Sequence, residues 1–275
     1  MYATNDNIEK CKNFALNERR LIIETGHNLG RLAVHYGPAL SIADMFAALY
    51  GCVLNYDASD PESNQRDRLI LSKGHAYPAL YASLCLAGYF SKEEFIGNYM
   101  TDGGFLPAHP VKNVAKGIET SSGSLGHGLS FGVGKALAAK KKGEAWTTYV
   151  LLGDGECEEG SVFEAMTLAP RLHLDNLVIF IDHNKLQQDG TTEETLPINY
   201  PNLLKCLGWN VTVCDGNDIA SLLQALDNNP HDGKPYAIVG DTIKGKGISF
   251  MENDNKWHHA SLSKKQYAQA LEELS

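Results

Sequence analysis

Unbroken apolar runs and stretches of helical period alternate through the second half of the chain. Tyr149-Val150-Leu151-Leu152, Leu177-Val178-Ile179-Phe180-Ile181, Asn210 to Val213 and Tyr236-Ala237-Ile238-Val239 read as strands, and helices are predicted between them over 161–172 and 218–227. Strands that are apolar at every position, separated by helices, predict a parallel sheet covered on both faces. The first half is less regular. Ile8, Cys11, Phe14 or Ala15, Leu21 and Ile22 predict a helix over 7–25, and Ser41 is placed to cap a helix over 42–54. Leu69-Ile70-Leu71 is a short apolar run ended by Ser72-Lys73-Gly74-His75, and residues 77–89 and 91–99 have helical patterns. Gly103 to Pro110 cannot continue a helix. The glycine-dense segment Gly123 to Gly134 leads into a helix ending at Lys140-Lys141-Lys142-Gly143, where cations suit the negative end of the helix dipole. The expected fold is α/β: one domain spanning 1–275, a doubly wound, mostly parallel sheet with helices on both faces.

Composition narrows the function classes. A chain of 275 residues buries about three-quarters of its unfolded surface, enough for a core without staples. With 24 Lys and Arg against 33 Asp and Glu, the net charge is −9, which argues against nucleic acid as a partner. The six cysteines, Cys11, Cys52, Cys85, Cys157, Cys206 and Cys214, form no CxxC pair, so neither a zinc site nor a disulfide framework is expected. The first residues have no basic start followed by an apolar stretch, and nowhere do eighteen apolar residues follow one another. The expectation is a cytoplasmic protein with no membrane segment.

In a doubly wound sheet, ligands bind beyond the carboxyl ends of the strands. After Leu152 comes Gly153-Asp154-Gly155, and after Ile181 comes Asp182-His183-Asn184-Lys185-Leu186. If the two strands are neighbours, Asp154 and Asn184 sit side by side. A carboxylate and an amide oxygen make a hard but incomplete site, and Mg²⁺ takes its remaining oxygens from water or a ligand's phosphates. The glycines let backbone N–H groups approach phosphate, and the helix that follows presents its positive end. Taken alone, Gly-Asp-Gly also suits a simple strand-to-helix turn with an Asp cap. With an Asn thirty residues after Asp154, it resembles the thiamine diphosphate and magnesium motif of thiamine-dependent enzymes. The longer stretch Gly153 to Ala165 is similar to that of transketolases. So are Ser72-Lys73-Gly74-His75, Ser122-Gly123-Ser124-Leu125-Gly126, Lys244-Gly245-Lys246-Gly247 and Trp257-His258, and the matches run in family order from about residue 10 to 260.

The resemblance implies roles for particular residues. Asp154, Asn184 and the backbone carbonyl of Leu186 would bind Mg²⁺, with diphosphate oxygens and water completing an octahedron. Gly155 would touch the diphosphate through its backbone, and His75 would reach the same cofactor. Gly123, Ser124 and Leu125 would line its ring region, with Glu156, Lys244 and His258 also counted as cofactor-binding. Glu159 matches a glutamate of the carboxylate network linking two active sites. Aligning His35 to Asp44 on the family's GHPGGSLSAAD pattern makes His35 the catalytic histidine, while His27 falls eight residues too early. His109, in Leu106-Pro107-Ala108-His109-Pro110, matches the histidine that meets a substrate hydroxyl, and His258 is a further catalytic candidate. Neutral imidazoles suit both tasks. The chain departs from the pattern at Val34, Tyr36, Ala108, Val111 and His127, beside sugar-facing residues and not beside metal ligands, which points to a kept cofactor and an altered sugar.

Thiamine chemistry also needs a glutamate on the aminopyrimidine. In transketolases it lies on a second, pyrimidine-binding domain followed by a third, and no glutamate here matches it. The resemblance therefore implies a separate C-terminal transketolase subunit carrying the pyrimidine-binding domain, in a two-plus-two heterotetramer. An apolar docking face is expected near 123–134 and 156–170. The implied activity is transfer of a two-carbon ketol unit between sugar phosphates, from a ketose donor to an aldose acceptor. Alternatives are a deoxyxylulose phosphate synthase-like or 2-oxo acid decarboxylating subunit, or a noncatalytic scaffold. A P-loop reading of Gly240 to Gly247 meets the GxxxxGK spacing but places Gly247 where Ser or Thr must reach Mg²⁺.

Overall fold

The computed structural model describes residues 1–275. Five strands, β1 (Arg68–Leu71), β2 (Thr148–Gly153), β3 (Leu177–His183), β4 (Asn210–Asp215) and β5 (Tyr236–Asp241), form one parallel sheet in the order β1-β2-β3-β5-β4. The helices are α1 (Asn5–Asn28), α2 (Tyr36–Ser41), α3 (Ala43–Ala48), α4 (Tyr77–Leu86), α5 (Lys92–Asn98), α6 (Gly128–Lys142), α7 (Gly160–Arg171), α8 (Thr192–Thr195), α9 (Tyr200–Leu207), α10 (Ile219–Asp227) and α11 (Lys264–Glu273).

Strand side chains alternate between faces, and both faces are covered. Tyr149, Leu151, Val178, Phe180, Tyr236 and Ile238 pack with α1, α3, α4 and α10, whereas Val150, Leu152, Ile179, Ile181, Ala237 and Val239 pack with α6, α7 and α9. The expected doubly wound α/β architecture is what the chain adopts. Edge strand β4 is only half covered, and Val213 is 50% exposed.

Two local expectations are corrected, and two others are made definite. The run at Leu69 is a true edge strand, β1, paired in register with β2. The expected helix over 42–54 forms as α3, Ala43–Ala48, continued by a wide π turn at Leu49–Val53, and a short helix with no predicted counterpart, α2, precedes it and ends at Ser41. Ser41 caps nothing; its hydroxyl lies 2.8 Å from the Asp182 carboxylate and 3.0 Å from the Pro38 carbonyl. Finally, Gly128, Gly132 and Gly134 belong to α6 and not to a loop. Close approach explains two of them, since a Cβ on Gly128 would stand 2.6 Å from the Ser72 Cα, and one on Gly132 would stand 2.5 Å from Val150 Cγ2. The lysine run does end α6, and Gly143 closes it in the left-handed conformation, with φ 70°.

After β5 the chain turns without entering a helix, so Gly240 to Gly247 is no P-loop. Helices α2, α8, α9 and α11 have no counterpart among the predicted elements. All six cysteines are unpaired, and no helix is long and apolar enough to cross a membrane.

The glycines of α6 give a test of sign. Alanine favours a helix over glycine by roughly 0.5–1 kcal/mol, but overpacking a core costs about 1–3 kcal/mol. Gly134 has open space around it, so Gly134→Ala is expected to raise the urea midpoint, whereas Gly132→Ala, driven against Val150, is expected to lower it.

Candidate functional site

Strands β2 and β3 are neighbours, with Gly153 opposite Asp182, so Asp154 and Asn184 meet at the carboxyl edge of the sheet. Asp154 Oδ1 accepts the Gly155 N–H at 2.8 Å, and Oδ2 accepts the Lys185 N–H at 2.6 Å. Lys185 has φ 65°, which turns the chain back over the Asp154 carboxylate. Asn184 donates from Nδ2 to Asp182 Oδ2 at 2.7 Å, while its Oδ1 accepts the Leu186 N–H at 3.0 Å. A carboxylate only accepts, so this contact fixes the amide orientation and turns the Asn184 oxygen away from Asp182. Burial, reinforced by the Asp182 charge, pushes the Asp154 carboxyl up to about 6.

Beneath this edge lies Asp182, 1% exposed. It pairs with the Lys73 ammonium and accepts from Ser41 and Asn184, and the Thr242 hydroxyl bonds its other oxygen. Burial alone would raise this carboxyl, yet Lys73 and the hydroxyl donors outweigh it and hold the group below the usual carboxylate range. Lys73 is equally buried and also donates to the Pro38 carbonyl at 3.0 Å. Sequence reasoning names neither Lys73 nor Asp182 as a site residue. The available signal is a lysine between an apolar strand and a helix, which stays charged in a core only beside a carboxylate.

A cleft of about 560 Å³ opens over this edge, within the range of small-molecule sites. His35, His75, Gly123, Leu125, Asp154, Gly155, Glu156, Glu159, Asn184, Leu186, Lys244 and His258 all line it, as does Lys73. Ser124 and His109 do not. Ser124 lies between two lining residues, and His109 stands at the rim, its ring 6.2 Å from that of His35. His27 lies outside the cleft, in the last turn of α1, stacked on Tyr267 at 4.0 Å. A larger cavity, about 930 Å³, opens behind the 184–200 loop and contains none of the site histidines. Its walls include Pro197, Ile198 and Tyr200, with no grouping of buried charge, so the histidine-lined cleft is the better candidate.

Two readings of individual residues change. Glu156 is buried with both oxygens committed: Oε1 accepts from Ser72 Oγ at 2.6 Å and the Gly126 N–H at 2.9 Å, and Oε2 accepts the Gly153 N–H at 3.1 Å. Its side chain ties three loops together, with three of its roughly four lone-pair sites filled by the protein itself. Val34, where the family pattern has Gly, is fully buried in the core, and only its neighbour His35 reaches the cleft. Glu159 is exposed at the start of α7, pressed against Gly126.

The electrostatics are consistent with an anionic ligand. Lys244, 1% exposed, donates to the Gln187 carbonyl at 2.7 Å and reaches the Leu186 carbonyl at 3.4 Å. Burial and the nearby Lys73 lower its ammonium to about 8. Burial likewise lowers His35 to about 3 and His258 to about 4, with neighbouring cations and imidazoles adding to it, and holds His75 well below the ordinary range. All three imidazoles are therefore neutral at neutral pH. His35 Nδ1 and His258 Nδ1 are buried without a partner. No cluster of three or more His, Cys, Asp or Glu side chains is arranged to hold a metal. The donors on offer are all oxygens, namely the Asp154 carboxylate, the Asn184 amide and the Leu186 carbonyl, a set that fits Mg²⁺.

Comparison with known proteins gives the family. Residues 23–275 match the family described as "Transketolase, thiamine diphosphate binding domain". The chain is 42% identical over 243 residues to one subunit of an apulose-4-phosphate transketolase of Actinobacillus succinogenes, covering 87% of each. It is 39% identical over 259 residues to one subunit of a 6-deoxy-6-sulfo-D-fructose transketolase of Clostridium sp., covering 93% of each. A transketolase of Pichia stipitis, solved in complex with sedoheptulose-7-phosphate, superposes with a TM-score of 0.89 at 29% identity, covering 96% of this chain and 40% of that one. The chain thus spans less than half of the solved transketolase it resembles. It belongs to the transketolase family, as a thiamine diphosphate-binding domain.

Glu156 separates an internal tether from a ligand contact. Glu156→Gln sets an NH₂ group against N–H and O–H donors, and each buried donor left unpaired costs roughly 1–3 kcal/mol. The ligand-free variant is expected to melt several degrees below wild type by circular dichroism. An unchanged melting temperature with weakened cofactor binding would instead make the carboxylate a ligand contact.

Proposed function

We propose that this chain is the diphosphate-holding subunit of a two-chain transketolase. In this reading it is a single domain that holds thiamine diphosphate and Mg²⁺, while a separate C-terminal subunit supplies the pyrimidine-binding domain, two of each forming the complex. Together they transfer a two-carbon ketol unit from a ketose phosphate to an aldose phosphate. The observation that carries the reading is the pairing of Asp154 with Asn184 over a cleft floored by two buried lysines. Relatives named as transketolase subunits, which this chain covers nearly end to end, support the partner.

Asp154, Asn184 and the Leu186 carbonyl are the residues that would hold the metal. When bound, thiamine diphosphate supplies the nucleophilic carbon that carries the two-carbon unit. Lys244 would meet the diphosphate with its charge, while Lys73, paired with Asp182, would support the floor beneath it. Gly155 leaves its backbone open, since a Cβ there would stand only 3.0 Å from Gln187 Cγ. Neutral His35 and His258 accept hydrogen bonds from sugar hydroxyls, and His109 meets a hydroxyl from the rim. Leu125 borders the cofactor ring, and Glu159 faces the neighbouring protomer. The docking face falls on α6 and α7, where Phe131 and Leu168 are 52% and 46% exposed and Phe163 is half-buried beside Leu168.

The test is to purify the chain alone and with the product of the adjacent reading frame, saturate both with Mg²⁺ and thiamine diphosphate, and assay ketol transfer. The complex is expected to be active and the lone chain inactive. In the complex, Asp154→Ala is expected to abolish Mg²⁺-dependent cofactor binding by calorimetry. A lone chain with full turnover, or an Asp154→Ala complex with unchanged affinity, would sink the assignment.

A further inference from the structure

His259 has no role in the proposed function, yet it is the imidazole held closest to His35. A short antiparallel bridge joins Val34 to Ala260: the Val34 N–H donates to the Ala260 carbonyl at 2.8 Å, and the Ala260 N–H donates back at 3.1 Å. The positions that flank such a hydrogen-bonded pair form the close, non-bonded kind, whose side chains share a face. That register sets His35 opposite His259. The two rings lie 4.3 Å apart at 25°, near parallel. The other rings around His35 meet it at steep angles, 57° for His75, 67° for His109, 76° for His258 and 75° for Tyr77.

The orientation of the His35 ring therefore has one principal determinant. It makes no hydrogen bond within the chain, and its buried Nδ1 has no partner. A ring without a hydrogen bond is oriented by packing alone, and the one flat plate it packs on is His259. The plate is itself pinned: His259 Nε2 lies 3.2 Å from the Ala33 carbonyl, and because a carbonyl only accepts, that nitrogen carries the proton. His259 is itself exposed, so its ring remains in contact with water.

We propose that His259 is a positioning residue for His35, a stacked plate that holds the His35 imidazole in one orientation with its unburied nitrogen open to the cleft. The inference rests on the reading in which His35 meets the sugar. The groups facing His35 are His75 from the turn before α4, Tyr77 of α4, His109 of the rim loop, His258 and His259 from the segment before α11, and the nearby Lys244. Among the titratable imidazoles, His259 alone can stack a second charge face to face on His35, so protonating either ring disfavours protonating the other.

The test uses the full chain with ¹⁵N-labelled histidine, followed by long-range N–H correlation spectra between pH 4 and 8. Wild-type His35 is expected to stay neutral in one tautomer across this range. In His259→Ala the lost plate lets water reach the ring, so its titration is expected to move upward by about one pH unit or more, with tautomer-averaged shifts. His259→Phe keeps the plate without the charge and is expected to preserve the single tautomer. His35 signals in His259→Ala that superimpose on wild type, or a Phe variant that behaves like the Ala variant, would overturn the proposal. The low-pH limb of kcat in the two-chain complex, with cofactor saturating, should move with the His35 titration. If the spectra shift as expected and that limb does not, the positioning role stands and the assignment of His35 to the sugar fails.

Discussion

A carboxylate buried at the end of the central strand organises the functional end of this molecule. Asp182 stands where β3 finishes, and removing its charge from water would be prohibitive without compensation. The compensation comes from four directions, from Lys73 after β1, Ser41 at the end of α2, Thr242 after β5 and Asn184 two residues further on. Each donor belongs to a different segment converging on the carboxyl edge. Holding the charge therefore also holds the loops together, and it explains why α2 must end where it does.

The same arrangement sets the chemistry of the cleft. By taking the Asn184 amide nitrogen, Asp182 leaves the Asn184 oxygen with only the Leu186 N–H to accept, so one lone pair stays available as a hard donor. By drawing Lys73 inward, it spends that charge on itself, so Lys244 is the buried cation left to face an anion, and both lysines disfavour protonated His75 and His258. Neutral imidazoles above and positive charge below are what a phosphate-bearing cofactor and a hydroxyl-rich substrate require of one pocket. Glu156 plays a parallel part on the other side, joining Ser72, Gly126 and Gly153 through three hydrogen bonds.

Much of this is legible in the sequence, and what is not has physical reasons. Strands β2, β3 and β5 carry their fold class in plain sight because both faces are buried, and they place Asp154 beside Asn184 by topology alone. β1 is too short to distinguish from any apolar run until its pairing with β2 is visible. The region after His35 is apolar throughout, so the helix over 42–54 is legible and α2 before it is not; the two separate at Ile42, just past the Ser41 that reaches Asp182. Glu156 reads as a cofactor residue because it sits inside the matched motif, but whether a carboxylate faces a ligand or its own backbone depends on loops distant in sequence. His259 carries no local signal for the same reason, since its importance lies in a bridge between Val34 and Ala260, which are far apart along the chain.

The claim on which the rest turns is that Asp182 holds the fold and the carboxyl edge with Asp154 and Asn184 in one network. The direct measurement is Asp182→Asn, which keeps the shape and removes the charge, followed in parallel by urea unfolding of the chain and by Mg²⁺-dependent thiamine diphosphate titration with the partner subunit. Leaving Lys73 buried and unpaired is expected to cost about 3–5 kcal/mol of stability, and cofactor affinity should fall in the same variant although the substituted side chain is not itself a metal ligand. A variant with wild-type stability and wild-type affinity would contradict the account.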